Sequence, residues 1–216
     1  MTDAVLLAGD RYHQADEAFA GVVPAFEAVG LDVECITDVT ALNGDLLKGK
    51  KLLAILRDGM EWPDGDGGKY EVWMQPDQER AIADFVARGG GFLPLHNSCW
   101  AYPWQGPYRH TLGGYYQSHG PILKVREEVI ADHPITAGVE PFEVVDEQHW
   151  LWFDTDRVTL FLKSYAEDGR EGPAGWAHDV GEGRVAYLAN GHTLEVLQHP
   201  MVRRLLENAA RWVLKI

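Results

Sequence analysis

Ala4-Val5-Leu6-Leu7-Ala8-Gly9-Asp10 decides the fold class. Five apolar residues in unbroken succession, closed by Gly-Asp, read as a strand buried on both faces and followed by a loop, the pattern of a parallel sheet. From Ala15 to Val29 the apolar residues Ala18, Phe19, Val22, Val23, Ala25, Phe26 and Val29 recur at three- and four-residue steps, and Gly30 supplies a stop. A helix therefore follows the strand, and Pro24 inside it is expected to kink or split it. Asp32–Ile36 and Lys51–Leu56 repeat the strand pattern, the second ending on Arg57-Asp58-Gly59.

Residues 59–75 hold Trp62, Pro63, several glycines and Trp73, a longer connection than packing needs, and are expected to act as a lid over a site. Pro76 opens a helix whose buried face is Ile82, Phe85 and Val86 and which Gly89-Gly90-Gly91 ends. Those glycines precede a strand, so they are not a phosphate-cradling loop, which follows one. Phe92–Leu95 is that strand and delivers His96-Asn97-Ser98-Cys99-Trp100 at its end. Strand-like runs follow at 122–129, 142–145, 158–164, 175–177 and 184–189, and an amphipathic helix at 200–214 closes the chain. Alternating strands and helices predict a mainly parallel sheet with helices on both faces, and the later strands an antiparallel extension. One α/β domain, 1–216, accommodates the whole sequence, and no repeat divides it.

The formal charge of −14 repels phosphodiesters and anionic lipid, so no nucleic acid and no membrane is expected as a partner. The start carries no signal-peptide pattern, and no run approaches the roughly 20 apolar residues that span a bilayer. Two cysteines, Cys35 and Cys99, make no disulfide framework, which fits a reducing cytoplasm.

Ligands of open α/β sheets bind beyond the carboxyl ends of the strands, where strand order reverses. That rule selects Asp10 to His13, Arg57 and Asp58, His96 to Ser98, and Gly191-His192, with His110, His119, Glu147 and His149 between them. Imidazole suits proton transfer near neutral pH and also ligates metals, so this convergence points to acid–base work or to a cation. There is no HExxH and no tight Cys/His cluster; the cofactor stays open, and a divalent metal such as zinc would be assembled from distant loops. Trp100, Tyr102, Trp104, Tyr108, Tyr115 and Tyr116 crowd one stretch without periodicity, which suits either the C–H faces of sugar rings or a homo-oligomer interface.

The motifs Gly89-Gly90-Gly91-Phe92, Leu95-His96-Asn97-Ser98, Leu112-Gly113-Gly114-Tyr115-Tyr116 with His119, His133-Pro134-Ile135-Thr136 and Asp146-Glu147 come in this order. Gly175-Trp176-Ala177-His178, Gly181-Glu182-Gly183-Arg184-Val185, Asn190-Gly191-His192 and Asn208-Ala209-Ala210-Arg211-Trp212 continue it. In order and spacing they resemble the ThuA-like (trehalose utilisation) family. The resemblance implies a flavodoxin-like, class I glutamine amidotransferase-like three-layer sandwich. Amidotransferases place a nucleophilic Cys on the turn where this chain has His96 and Asn97; Cys99 comes later, so glutaminase chemistry is not expected.

The resemblance implies a small-molecule carbohydrate as partner, a disaccharide or keto-sugar. The expected catalytic residues are His96 and His192, exchanging protons with the substrate, and Glu147, orienting or polarising one of them; Glu195, three residues after His192, is a further carboxylate near that base. His13, Asp58, Asn97, Tyr115, His119 and His149 are expected to bind substrate. His133 is expected to shape a turn, and Trp176 and Arg184 to be structural. A non-catalytic sugar-binding or regulatory protein and a metal-dependent hydrolase are the alternatives.

Overall fold

The computed structural model describes residues 2–65 and 68–216. Strand β1 (Ala4–Ala8) leads into α1 (Ala15–Glu27), β2 (Val33–Ile36), a short α2 (Gly44–Leu47) and β3 (Leu52–Leu56). Every residue of β1 and β3 is buried, as an unbroken apolar run in a covered parallel sheet requires. Helix α1 is not split at Pro24, which lies within it near its C-terminal end. One helical hydrogen bond is forfeited there for want of an N–H, and the helix stops a turn later in any case.

The loop expected as a lid contains a small antiparallel hairpin, β4 (Met60–Glu61) with β5 (Glu71–Val72). Asp66 and Gly67, part of that expectation, lie outside the described residues. Then come α3 (Pro76–Ala87), β6 (Gly91–Pro94), a 3-10 turn at His96–Cys99 and α4 (Pro107–Leu112). The chain continues through β7 (Gly114–Val129), β8 (Phe142–Phe153), β9 (Thr159–Ala166), β10 (Glu171–Val180) and β11 (Gly183–Leu188), and ends with α5 (Leu194–Leu197) and α6 (Pro200–Leu214).

The main sheet has nine strands in the order β2-β1-β3-β6-β11-β10-β9-β7-β8. From β2 to β11 the pairs are parallel, and from β11 to β8 antiparallel. Helix α1 packs with α5 and α6, and α3 with α2 and α4. Right-handed crossovers leaving β1 and β3 in opposite directions put these two groups on opposite faces, which makes three layers. Strand order reverses between β1 and β3, so the loops after those strands border the crevice where such sheets bind ligands.

Strands β7 and β8 are longer than their apolar runs suggest, reaching back to Gly114 and forward to Phe153. Register shifts between Tyr116 and Ser118 and between His119 and Ile122 interrupt the alternation of β7. Pro121, a poor residue for a strand interior, sits at the second of these irregularities, where the ladder has no use for its missing N–H. The bulges re-aim the side chains of this strand, and β8 carries Asp146, Glu147 and His149 opposite them.

Candidate active site

Each strand end that borders the crevice is shaped by local chemistry. After β1, Asp10 Oδ1 accepts the backbone N–H of Tyr12 (2.8 Å) and of His13 (2.9 Å), the turn that an aspartate favours. The same carboxylate faces His13 Nδ1 at 2.9 Å, accepts Asn97 Nδ2 at 2.7 Å and accepts the N–H of Asp58 at 3.1 Å. It thereby ties together the ends of β1, β3 and β6. Arg57 clamps the same corner through the Gly9 carbonyl and Glu61.

After β6 the backbone of His96 adopts a φ of 47°, a left-handed conformation uncommon outside glycine. Such strain persists where surrounding structure over-determines it, often at functional sites. His96 Nδ1 lies 2.7 Å from the Ala189 carbonyl, which can only accept, so the proton is on Nδ1 and the Nε2 lone pair is free. Gly191, at φ 147° after β11, passes so close that an added Cβ would lie 3.4 Å from that of His96. Asp146, on β8, accepts the N–H groups of Gly191 (3.1 Å), His192 (3.2 Å) and Glu147 (2.9 Å), fixing the backbone of two site residues at once.

These supports bring four imidazoles and a carboxylate together. Ring centroids are 4.9 Å apart for His13 and His96, 4.9 Å for His13 and His192, 5.6 Å for His96 and His192, and 4.2 Å for the stacked His96 and His149. Glu147 lies at their centre, 3.3 Å from His192 Nδ1, 3.7 Å from His149 Nε2 and 3.8 Å from His96 Nε2, with His119 Nδ1 at 3.6 Å from its other oxygen. Burial opposes ionisation of Glu147, but its hydrogen bonds to His149 and His192 and the charges around it prevail and hold it well below the usual carboxylate range. Hydrogen bonding to Glu147 in turn raises His192 against the effect of burial. Burial, with the other imidazoles, pushes fully buried His96 well below its ordinary value.

A cavity of about 300 Å³ opens on this cluster, lined by Tyr12, His13, Asp58, Met60, Asn97, Trp100, Tyr116, His119, Glu147 and His149. That is the lower end of small-molecule sites. His96 and His192 stand behind the lining, touching Glu147 and His13. Asp58 is 2% exposed; burial, and then the charge of Asp10, raise it to about 7. A larger cavity of about 770 Å³ lies at the opposite ends of the strands, around Lys48, Lys51, Phe85 and Gly89. Among the described residues its lining has no histidine, aspartate or glutamate side chain.

Of the expected residues, His13, Asp58, Asn97, His119, Glu147 and His149 line the cavity, and His96 and His192 adjoin it. Tyr115 does not line it: consecutive strand residues face opposite ways, so Tyr116 points at His149 (5.0 Å) while Tyr115 packs against Trp104 (4.6 Å). Tyr102 and Tyr108, expected in a binding stretch, are core residues whose rings lie tilted against each other at 4.4 Å. His110 lies away from the cluster beside Arg157, and Glu195 is exposed; the carboxylate at His192 is Glu147. His133 caps the turn at Pro134–Thr136, Trp176 is fully buried, and Arg184 binds Asp179 and the Trp212 carbonyl. Cys99 is buried at 3.3 Å from the Tyr187 hydroxyl, and burial pushes its thiol up to about 12, which leaves no thiolate for attack. Residue-type reasoning did not single out Asp146, whose role lies in backbone contacts.

Beneath the site, Glu127 accepts Asn190 Nδ2 at 2.9 Å, and burial raises it to about 8, with Asp146 adding to the effect. A carboxyl raised on folding holds a proton that the unfolded chain has lost, so stability falls as pH rises from about 4.3 to 8. Glu127→Gln keeps an acceptor for Asn190 and removes that loss. The variant is expected to be more stable than the parent by on the order of 3 kcal/mol at pH 9 and no more stable at pH 4, read from urea unfolding at both. Equal differences at the two pH values would contradict a buried, proton-holding Glu127.

A family model described as ThuA, trehalose utilisation, matches residues 5–213. No curated protein matches the chain. Among solved structures, a Parabacteroides merdae protein described as thua-like superposes with a TM-score of 0.77 at 16% identity, covering 99% of this chain and 90% of that one. A Bacteroides uniformis protein described as thua-like gives 0.73 at 20% identity, covering 97% and 90%. A β-galactosidase from Bacillus circulans gives 0.65 at 13% identity, covering 94% of this chain and 30% of that one. At these identities the structures share the fold; the family match over nearly the whole length places the chain in the ThuA family.

Proposed function

We propose that this ThuA-family protein is a carbohydrate-processing enzyme that moves a proton at a carbon beside a carbonyl of a disaccharide or keto-sugar. The observation carrying this reading is the convergence, at one cavity of about 300 Å³, of the buried carboxyl Asp58, the aromatic rings of Trp100 and Tyr116, and His13 and Glu147, with His96 and His192 directly behind them.

The chemistry balances without a cofactor that carries electrons. Ionised Asp58 takes the proton from carbon, the C–H bonding pair becomes the carbon–carbon double bond as the carbonyl π pair moves onto oxygen, and the cluster stabilises the resulting enediolate. Return of the proton to the same carbon from its other face gives the epimer; delivery to the former carbonyl carbon, with the hydroxyl proton passed from one enediolate oxygen to the other, gives the isomer. An Asp at about 7 suits both halves of that exchange at neutral pH. Trp100 and Tyr116, 4.8 Å apart, offer rings to the C–H face of a sugar, and Asn97 Oδ1, buried without a partner among the described residues, can accept a hydroxyl.

The binding half of the proposal is tested by titrating the protein with disaccharides and their keto derivatives while following tryptophan fluorescence and thermal midpoint. Saturable binding to at least one of them, weakened about tenfold in Trp100→Ala, is expected. Binding that is indifferent to Trp100→Ala would move the sugar site elsewhere.

A further inference from the structure

We infer that His13, His96, His192 and Glu147 form a site for one divalent first-row cation of the zinc type. One donor atom from each of the four lies within 4.8 Å of every other. His13 Nε2 is 3.1 Å from His192 Nδ1, His192 Nδ1 is 3.3 Å from Glu147 Oε2, and His96 Nε2 is 3.8 Å from that same oxygen. Donors placed tetrahedrally about a zinc ion at its ordinary bond lengths are roughly 3.3 Å apart. Three of the six separations, 3.1–3.8 Å, are thus near those a bound ion requires, and all six lie within 4.8 Å.

The protonation pattern agrees. The Ala189 carbonyl holds the proton of His96 on Nδ1, and Nε2, on a fully buried residue, has no hydrogen-bond partner among the described residues. Leaving such an acceptor unpaired is unfavourable, and a cation offsets that cost. Asp10 Oδ1, 2.9 Å from His13 Nδ1, accepts its proton and leaves Nε2 as a lone-pair ligand toward the cluster, the carboxylate–histidine–metal arrangement, while Asn97 Nδ2, 2.9 Å from the same nitrogen, donates to Asp10 Oδ2 at 2.7 Å. His13 Nε2 and His192 Nδ1 then face each other, and two lone pairs at that distance need a proton or a cation between them. Asp146 fixes the backbone from which His192 projects.

The donor set selects the ion. Three imidazoles and one carboxylate suit zinc and its first-row neighbours, whereas magnesium and calcium prefer oxygen shells. At the edge of the proposed sugar cavity such an ion would polarise a carbonyl oxygen, although the site itself does not depend on the sugar reading.

The full-length chain, stripped with a chelator and dialysed against Zn²⁺, is expected to retain one equivalent by elemental analysis. In the Co²⁺ form it should show visible absorption of a low-coordinate centre. His192→Ala, at a half-buried position, should lose that absorption and more than 100-fold in affinity; Asp10→Asn should lose about 10–100-fold through mis-set His13. Circular dichroism checks that both variants are folded, and titrating the stripped protein with sugar separates ion binding from sugar binding. Sub-stoichiometric zinc in the parent, or zinc affinity unchanged in His192→Ala, would overturn the site, whatever the sugar result.

Discussion

Glu147→Gln is expected to lower turnover by about 10²–10⁴-fold while leaving sugar binding within a few-fold of the parent. The carboxylate stands within 3.3–3.8 Å of nitrogens on His192, His119, His149 and His96, and no other group reaches so many of the site's imidazoles among the described residues. Glutamine preserves shape and one acceptor oxygen but removes the charge that raises His192 and that would hold a cation. The sugar's aromatic contacts do not involve Glu147, so the loss should fall on kcat far more than on KM. Retention of turnover within tenfold of the parent would remove Glu147 from the reacting centre.

Asp58→Asn is expected to cost a similar factor in kcat/KM and to abolish the limb of the pH profile near 7, because an amide cannot take a proton from carbon. Its effect on stability has the opposite sign. Burial and Asp10 raise Asp58 from its ordinary 3.8 to about 7, so the folded state keeps a proton that the unfolded state sheds over that range, and stability declines as pH rises through it. The amide keeps the acceptor for the Met60 N–H (2.8 Å) and escapes the decline. The variant should therefore gain on the order of 2–4 kcal/mol at pH 8 and nothing at pH 4. Lower activity with higher stability marks a group held in place for chemistry. A variant that lost both activity and stability at pH 8 would instead assign Asp58 to the architecture.

The parallel half of the fold was legible because β1 and β3 are covered on both faces and so are uniformly apolar, and because Pro76 and the glycines after Ala87 bracket α3. The antiparallel half was less so. Gly120 and Pro121 break the alternation of β7, and the buried polar residues Asp146, Gln148 and His149 hide β8 beyond Val145. Strand-end reasoning reached His13, Asp58, His96, Asn97 and His192, since the reversal of strand order decides where those ends meet. His119, Glu147 and His149 come from the antiparallel extension; they stood out in the sequence only as histidines and a carboxylate lying between the strand-end candidates, with His119 and Glu147 also falling in the ordered motifs. The exchange of Tyr115 for Tyr116 is a one-residue question of strand facing, which bulges make unreadable without register. Asp146 works through the backbone N–H groups of Gly191 and His192, far along the chain, and sequence spacing carries no trace of such contacts.

The central claim is proton transfer at carbon, and solvent isotope exchange reads it most directly. A keto-disaccharide that binds the protein is incubated with it in D₂O and its C–H signals are followed by proton NMR. The account predicts loss of the signal from a carbon next to the carbonyl at a rate well above the uncatalysed one, with that exchange reduced at least 100-fold in Asp58→Asn. A bound keto-sugar whose C–H signals all persist at the uncatalysed rate would contradict it and leave the pocket a binding site.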